Sequence, residues 1–309
     1  MEPHDRPRAG YCHASTRQCV SAFTLVELLV VLAIIGSLMG LILPAVMRAR
    51  ESANRLRCAD NLRQIALALH HYHETYSVLP PGTSYRDGND PNPFMSWLTR
   101  LLPFVEQSAL FQQSEAAYQI EKNFGVNPPH VGLGTLITLY TCPSDSRTNQ
   151  VEILGNRQIA FTDYLGNEGT DLRQRNGLLY LDSRVRLTDI SDGASKTLLV
   201  GERPPSPDGI LGWWYAGWGQ LKDGSAEVVL GMQEKNAYYP SECPVGPYAY
   251  TPGSPKNPCD TFHFWSFHMG KGCNFAFADG SVHFVPYSAK DIMPALATRA
   301  GGEPVEWPN

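Results

Sequence analysis

The sequence lacks the excess of basic residues that marks proteins binding nucleic acids. Its 309 residues contain 25 Lys and Arg against 30 Asp and Glu, which gives a net charge of −5 and a pI near 6.0. Neutralising a phosphate backbone takes clustered positive charge, so this balance argues against a nucleic-acid partner. An internal repeat of roughly 20–50 residues is also missing, which argues against repeat architectures.

The sequence also lacks the motifs of common hydrolases and nucleotide-binding enzymes. It contains no nucleophile elbow, no phosphate-binding loop and no zinc-protease motif. Isolated Ser, His and Asp residues occur in every protein and do not by themselves indicate catalysis. We therefore expect that the protein is not an enzyme.

One long hydrophobic run lies between Phe23 and Met47, and Glu27 is the only charge in it. As a helix the run would extend about 37 Å, enough to cross a bilayer core of ~30 Å. A secretory signal would be cut after its apolar region, whereas the small residues Val20-Ser21-Ala22 precede this run. No apolar run leads up to Cys12 or Cys19, which excludes a lipoprotein signal.

Glu27 needs a partner, because a carboxylate inside a membrane-spanning helix is energetically costly. Cleavage between Ala22 and Phe23 would create a new α-amino group four residues before Glu27. In a helical assembly, the Glu27 carboxylate of one subunit would neutralise the N-terminus of the next. This argument predicts processing at Ala22 and Phe23 and a role for Glu27 in assembly.

Beyond the apolar run the pattern becomes amphipathic. We expect one helix from Phe23 to about Glu74, with a kink at Pro44, ending before Pro80-Pro81-Gly82. Apolar residues recur at steps of three and four in its second half and share one face, namely Leu62, Ile65, Leu69, Tyr72 and Tyr76. This face must be buried against a sheet.

The remainder of the chain has short apolar runs bounded by turn residues. The pattern predicts helices over 97–106 (interrupted by Pro103), 108–120 and 291–299, and strands over 136–140 and 197–200. A hairpin over 274–285 is predicted around Asp279-Gly280 as a two-residue type I′ turn, which would place Phe277 opposite Val282. The expected fold class is α+β, with a long N-terminal helix packed on an antiparallel β-sheet head.

Two resemblances to known families follow from these residues. The first is to the cleavage and methylation signal of type IV prepilins and type II secretion pseudopilins, carried by Phe23-Thr24-Leu25-Val26-Glu27-Leu28-Leu29. It implies a prepilin peptidase that removes residues 1–22 and methylates Phe23. It also implies a transmembrane half at 23–47, an amphipathic half at 48–76 and an extracytoplasmic head at 77–309.

The same resemblance implies a single-pass protein of the bacterial inner membrane, with its head in the periplasm or at the cell surface. The positive-inside rule would favour the opposite orientation, because more Arg residues follow the span than precede it. Those before it are Arg6, Arg8 and Arg17, and those after it are Arg48, Arg50, Arg55 and Arg57.

The second resemblance is to a prepilin-like domain of unknown function with a C-terminal motif of His, nine residues, then Asp-Gly. It rests on the segments 57–73, Pro80-Pro81-Gly82, Cys142-Pro143-Ser144-Asp145, 188–193, 197–202 and 297–303. The chain departs from the motif, since ten residues separate His268 from Asp279.

In an oxidising compartment, the cysteines that follow the membrane span are expected to form disulfides. Cys58 lies on the outer helix and Cys142 ends a predicted strand that would pack against it, so we predict that they pair. Closing this loop would contribute about 4 kcal/mol in the chain-entropy model. Cys243 is expected to pair with Cys259, although pairing with Cys273 stays open.

Two groups are candidate binding residues. Trp213, Trp214 and Trp218 form the densest aromatic cluster, which is either core or a surface for a glycan or protein partner. Asp189, Asp192 and Asp279 are candidate calcium ligands, although Asp-Gly pairs also form turns without a metal. Apart from calcium, no cofactor is expected.

The function expected from these resemblances is structural. The processed chain would stay in the inner membrane or join a pilus-like filament with other pilin-like subunits. Two alternatives stay open. One is a membrane-anchored head that binds a glycan or protein without polymerising, and the other is an anchored periplasmic hydrolase.

Overall fold

A computed structural model describes residues 24–85, 90–237 and 242–305 of the chain. The predicted processing site at Ala22 and Phe23 lies outside these residues. By its internal contacts, the chain divides into two units, residues 1–48 and 49–309. The boundary falls one residue after the predicted transmembrane half.

The first unit contains the start of helix α1, which spans Leu25–Tyr76 without interruption at Pro44. Every described side chain from residue 24 to residue 48 is exposed. Within the described part of the chain, α1 is the one helix long and apolar enough to cross a membrane. The prediction of an unbroken helix is therefore confirmed.

The second unit combines short helices with a β-sheet. Its helices and strands, in chain order, are α2 (Trp97–Arg100), α3 (Ser108–Ile120), β1 (Glu152–Leu154), β2 (Arg157–Ile159), β3 (Tyr164–Gly169), β4 (Leu198–Glu202), β5 (Val229–Gly231), β6 (Gly272–Phe277), β7 (Val282–Pro286) and α4 (Met293–Ala297). Strands β1 and β2 form a separate antiparallel pair.

The main sheet has five strands in the order β5-β3-β4-β6-β7. Three of its neighbouring pairs are antiparallel, but β3 and β5 are parallel, with Gly166 opposite Val229. The α+β class is confirmed, and the sheet is mixed where we predicted an antiparallel one. A parallel pair requires a long crossover, which residues 170–228 provide.

The predicted apolar face of α1 packs into the core of the second unit. Leu62, Ile65 and Leu69 have no solvent exposure, and Tyr72 is partly buried against the same core. Tyr76 is 56% exposed, so the buried face ends before the helix does. Burying each of the aliphatic side chains contributes roughly 1.5–3 kcal/mol, which accounts for the packing of this part of α1.

Three predicted segments differ from the structure. Residues 136–140 form no strand: Thr138–Tyr140 is a 3₁₀ turn, in which the buried Tyr140 hydroxyl donates to the Leu98 carbonyl at 2.9 Å. The helix predicted over 97–106 is split into α2 and a 3₁₀ turn at Leu102–Phe104, because Pro103 cannot donate a backbone hydrogen bond. The terminal helix α4 is shorter than predicted.

The predicted hairpin forms, but its register is shifted by one residue. Val282 lies opposite Ala276, where we expected Phe277. The turn has three residues: Gly280 has a positive φ of 84° and Asp279 does not, so the two-residue type I′ turn is absent. The Asp279 carboxylate instead accepts bonds from Ser281 N at 2.9 Å and Ser281 Oγ at 2.6 Å.

The structure forms both disulfides that we favoured from the sequence. Cys58 of α1 is bonded to Cys142 with a Cα–Cα distance of 5.4 Å, and Cys243 is bonded to Cys259 at 5.3 Å. Cys273 is a buried free thiol. Burial raises its pKa well above the ordinary value, which keeps the thiol protonated and unreactive.

The turn geometry predicts different changes in stability for substitutions at Gly280 and at Asp279. Gly280→Ala should cost roughly 1–2 kcal/mol, because alanine is strained at positive φ. The added Cβ would only meet the His70 ring at 3.7 Å, so sterics contribute little. Asp279→Asn should change stability by less than about 0.5 kcal/mol, since the amide oxygen still accepts from Ser281.

Thermal melts of the full chain in detergent, with calcium and with chelator, measure both effects. A loss of stability in Asp279→Asn that appears only with calcium would show that this carboxylate binds the ion.

Candidate functional site

The first candidate site is the beginning of α1, where Thr24 and Glu27 form a capping box. The Glu27 carboxylate accepts bonds from Thr24 N at 2.9 Å and Thr24 Oγ1 at 2.8 Å, and Glu27 N donates to Thr24 Oγ1 at 3.3 Å. These bonds hold the carboxylate at the N-terminal turn. They bring no opposite charge, so the Glu27 charge still needs a cation when the helix enters an apolar surrounding.

The three tryptophans of the aromatic cluster predicted from the sequence differ in their solvent exposure in the structure. Trp214 has no exposed surface, and its indole Nε1 donates to the Thr135 carbonyl at 2.9 Å. Trp213 is buried as well and donates to the Gly209 carbonyl at 2.7 Å. Trp218 is 39% exposed and is the most exposed of the three.

Trp218 lies in a groove with a volume of about 1080 Å³. Its ring packs against Phe94 at 4.9 Å and Phe124 at 6.2 Å between centroids, and the Lys222 ammonium lies 5.1 Å from its centroid. The apolar part of the lining includes Phe94, Phe124, Leu154, Ile210, Leu211, Trp213 and Trp218. This aromatic wall is the part of the predicted cluster that can contact a partner.

Glu227 lines the same groove from a buried position. Its Oε2 accepts a bond from Gly219 N at 2.5 Å. Burial raises the pKa of Glu227 to about 8, although the backbone donors of Gly219 and Trp218 and the charge of Arg203 partly oppose this rise. The carboxyl group is therefore largely protonated at neutral pH in the folded protein.

The three candidate calcium ligands are each held by hydrogen bonds within the chain. Asp189 accepts from Arg186 N at 2.8 Å, and Asp192 accepts from the backbone N–H groups of Gly301 and Gly302 at 2.6 and 3.0 Å. Asp279 accepts from Ser281. Each carboxylate thus has a local structural role, and calcium binding stays a prediction.

His268 is the centre of a buried polar cluster that the sequence analysis did not assemble. Its Nδ1 lies 2.7 Å from Glu51 Oε1 on α1, and its Nε2 lies 3.1 Å from Glu202 Oε1 at the end of β4. The His268 side chain has no solvent exposure, and that of Glu202 has 2%. The structure therefore pairs His268 with two glutamates and not with Asp279.

The two carboxylates raise the pKa of this imidazole. Burial by itself lowers the pKa of His268, but the hydrogen bonds and negative charges of Glu202 and Glu51 outweigh it and leave the pKa above its ordinary value. Because each ring nitrogen faces a carboxylate, both N–H groups of the imidazolium have an acceptor.

The disulfide between Cys58 and Cys142 lies against the same imidazole. Cys142 Sγ is 3.6 Å from His268 Nε2, and Ser144 Oγ donates to Glu51 Oε2 at 2.9 Å. One potential ligand atom from each of Cys58, Cys142, Glu202 and His268 lies within 4.8 Å of the others. In the part of the chain that the structure describes, this is the one such group of metal-ligating residues.

Comparison with known proteins identifies the family. Residues 47–291, more than half of the chain, match the family described as a protein of unknown function, DUF1559. The chain belongs to this family. Residues 17–43 match the prokaryotic N-terminal methylation motif. No curated protein and no solved structure matches the chain.

The methylation motif indicates the general function of this DUF1559 member. It implies prepilin-type processing by a prepilin peptidase and a pilin-like structural role. Together with the exposed apolar part of α1, it indicates a single-pass membrane anchor. The family resemblances stated from the sequence are confirmed.

The raised pKa of Glu227 gives a pH-dependent prediction. Between its unfolded value of 4.5 and about 8, the folded state binds the proton more tightly, so this group lowers stability as pH rises. The slope is about 1.4 kcal/mol per pH unit. Glu227→Gln removes the titration, so its stability relative to the wild type should increase by about 3 kcal/mol between pH 5 and pH 8.

Denaturant unfolding of the full chain in detergent at both pH values measures this difference. Glu115→Gln, at an exposed position of α3, is the control. A Glu227→Gln difference that does not change with pH would contradict the prediction.

Proposed function

We propose that the chain is a structural subunit of a pilin-like assembly. In this proposal it is cut before Phe23, N-methylated there, and held in the bacterial inner membrane or drawn into a filament with copies of itself or other pilin-like subunits. The observation that supports it most is the Glu27 carboxylate, fixed at the N-terminal turn of an exposed apolar helix. It has no positive charge among its bonded partners.

The physical basis of assembly is charge neutralisation between subunits. Processing would place the Phe23 amine directly before Thr24, at the end of the helix where Glu27 lies. An amine supplied by a neighbouring subunit would neutralise Glu27, and the apolar side chains of 25–47 would cover one another. Both contributions act only when helices lie side by side, which favours assembly over a solitary anchor.

The proposed location of the head is the periplasm or the cell surface. Its two disulfides suit an oxidising compartment, and the methylation signal suits an N-terminus on the cytoplasmic side. We assign the head no catalytic activity, because the sequence contains none of the hydrolase motifs considered above. Handling by a type II secretion or type IV pilus machine is part of this proposal.

Glu27→Gln tests the proposed assembly contact. The substitution keeps the side chain's shape and removes its charge. Membrane insertion and processing should be unchanged, because the apolar run and the cleavage position are intact. Recovery of the protein in filaments sheared from cells should fall to background. Mass spectrometry of the membrane fraction checks that the mature N-terminus is still methylated Phe23.

Glu74→Gln is the matched control, since it makes the same change on an exposed position of α1 beyond the apolar run. Filament recovery of Glu27→Gln equal to that of the control would reject the assembly role. An N-terminus at Met1 in the wild type would reject the processing.

A second candidate function is carbohydrate binding by the anchored head without polymerisation. The groove favours it, because the partly exposed Trp218 lines it together with the polar side chains of Asn123 and Gln220. Sugar rings stack on such faces while amides and carboxylates bind their hydroxyls.

Trp218→Ala should then abolish binding to a glycan array, whereas Tyr76→Ala, which removes an exposed ring on α1, should not. Equal binding by both variants, or none by the wild type, would leave this function without support.

A further inference from the structure

We infer that the buried cluster around His268 is a zinc site in the reduced protein, with Cys58, Cys142, Glu202 and His268 as its four ligands. The disulfide seen in the structure is the metal-free, oxidised state of the same site. This inference does not depend on whether the chain forms filaments.

The positions of the donor atoms support tetrahedral coordination. The four ligand atoms lie within 4.8 Å of one another, and His268 Nε2 is 3.6 Å from Cys142 Sγ and 3.1 Å from Glu202 Oε1. Donors bound to zinc at ~2.0–2.3 Å in a tetrahedron lie roughly 3.3–3.8 Å apart. Opening the disulfide is therefore the main change that the site needs.

The ligand types select zinc over calcium or magnesium. Two thiolates and an imidazole are soft or borderline donors, which suit Zn²⁺, whereas Ca²⁺ and Mg²⁺ prefer oxygen ligands. All four residues are buried. A closed site with four protein ligands is the arrangement of structural zinc, with no position left for a reacting water.

Hydrogen bonds from neighbouring residues fix the orientation of two of the ligand side chains, those of His268 and Glu202. Glu51 accepts the Nδ1 proton of His268 at 2.7 Å, which directs the lone pair of Nε2 toward the thiols. Asn274 binds both oxygens of Glu202, from its backbone N at 2.7 Å and its side-chain Nδ2 at 2.9 Å. A carboxylate on a zinc-bound histidine is a common device for holding the ring.

The disulfide state and the zinc-bound state interconvert by thiol–disulfide exchange. A dithiol reductant gives two electrons and two protons to the Cys58–Cys142 bond and is itself oxidised to a disulfide. Zn²⁺ then replaces the two thiol protons and the proton on His268 Nε2, and all three pass to solvent. Oxidation reverses the sequence and releases the metal, because His268 and Glu202 remain as the only two ligands.

Either state joins the same segments of the chain. Cys58 lies on α1, Cys142 follows the Thr138–Tyr140 turn, Glu202 ends β4, and His268 precedes β6. The disulfide links two of these segments covalently, and zinc would link all four. The site would therefore keep α1 fastened to the sheet before the disulfide forms or after it is reduced.

Alkylation of the wild-type protein tests the inference without a variant. The full chain in detergent is reduced with a phosphine under argon and treated with a thiol alkylating reagent, with Zn²⁺ or with chelator. Peptide mapping should show alkylation of Cys58 and Cys142 slowed about tenfold or more by Zn²⁺. Cys243 and Cys259, the pair reduced in the same sample, should be alkylated equally under both conditions.

Cobalt replaces zinc as a spectroscopic probe. Reduced protein should bind one Co²⁺ with the visible bands of tetrahedral coordination and a thiolate charge-transfer band, and Zn²⁺ should remove both. Oxidised protein should show neither. The bands should persist in Cys243→Ser/Cys259→Ser and weaken in Glu202→Gln. Equal alkylation of Cys58 with and without Zn²⁺, or cobalt bands that depend on Cys243, would overturn the assignment.

Discussion

The buried junction between α1 and the head is the constraint on which the second unit depends. Cys58 is covalently bonded to Cys142, and two helical turns earlier Glu51 binds His268, which also binds Glu202 of the sheet. The disulfide closes a separation of 84 residues, so it removes about 4.5 kcal/mol of unfolded-state entropy in the chain-entropy model. The hydrogen bonds of the His268 ring to two carboxylates offset part of the cost of burying these polar groups.

The two parts of α1 differ in burial, because only the second part contributes to this junction. The part within residues 49–76 buries its apolar face in the core, whereas residues 24–48 leave every side chain exposed. A helix that is apolar on all sides needs lipid or other helices around it. The methylation motif of this DUF1559 member overlaps that exposed part over residues 24–43. One continuous helix therefore contains both the apolar anchor segment and a face that packs in the core of the second unit.

Features set by hydrophobic periodicity were predictable, as were the two disulfides, but features set by individual polar side-chain contacts were not. The repeat of Leu62, Ile65 and Leu69 predicted both α1 and its buried face. The hairpin register was missed because Ser281 binds the Asp279 side chain and holds that residue out of positive φ. The His268 cluster was missed because Glu51 and Glu202 lie 217 and 66 residues away in sequence. A motif anchored on His268 was visible in the sequence, but only the fold shows its partners.

Electron microscopy of the native cells, with gold-labelled antibody against the head, tests the central claim most directly. If the processed chain is a pilin-like subunit, gold particles should follow fibres along their length, and the fibres should be missing from cells without the gene. Gold confined to the cell envelope, on cells whose membranes contain the mature protein, would contradict assembly and leave the chain as a membrane-anchored head.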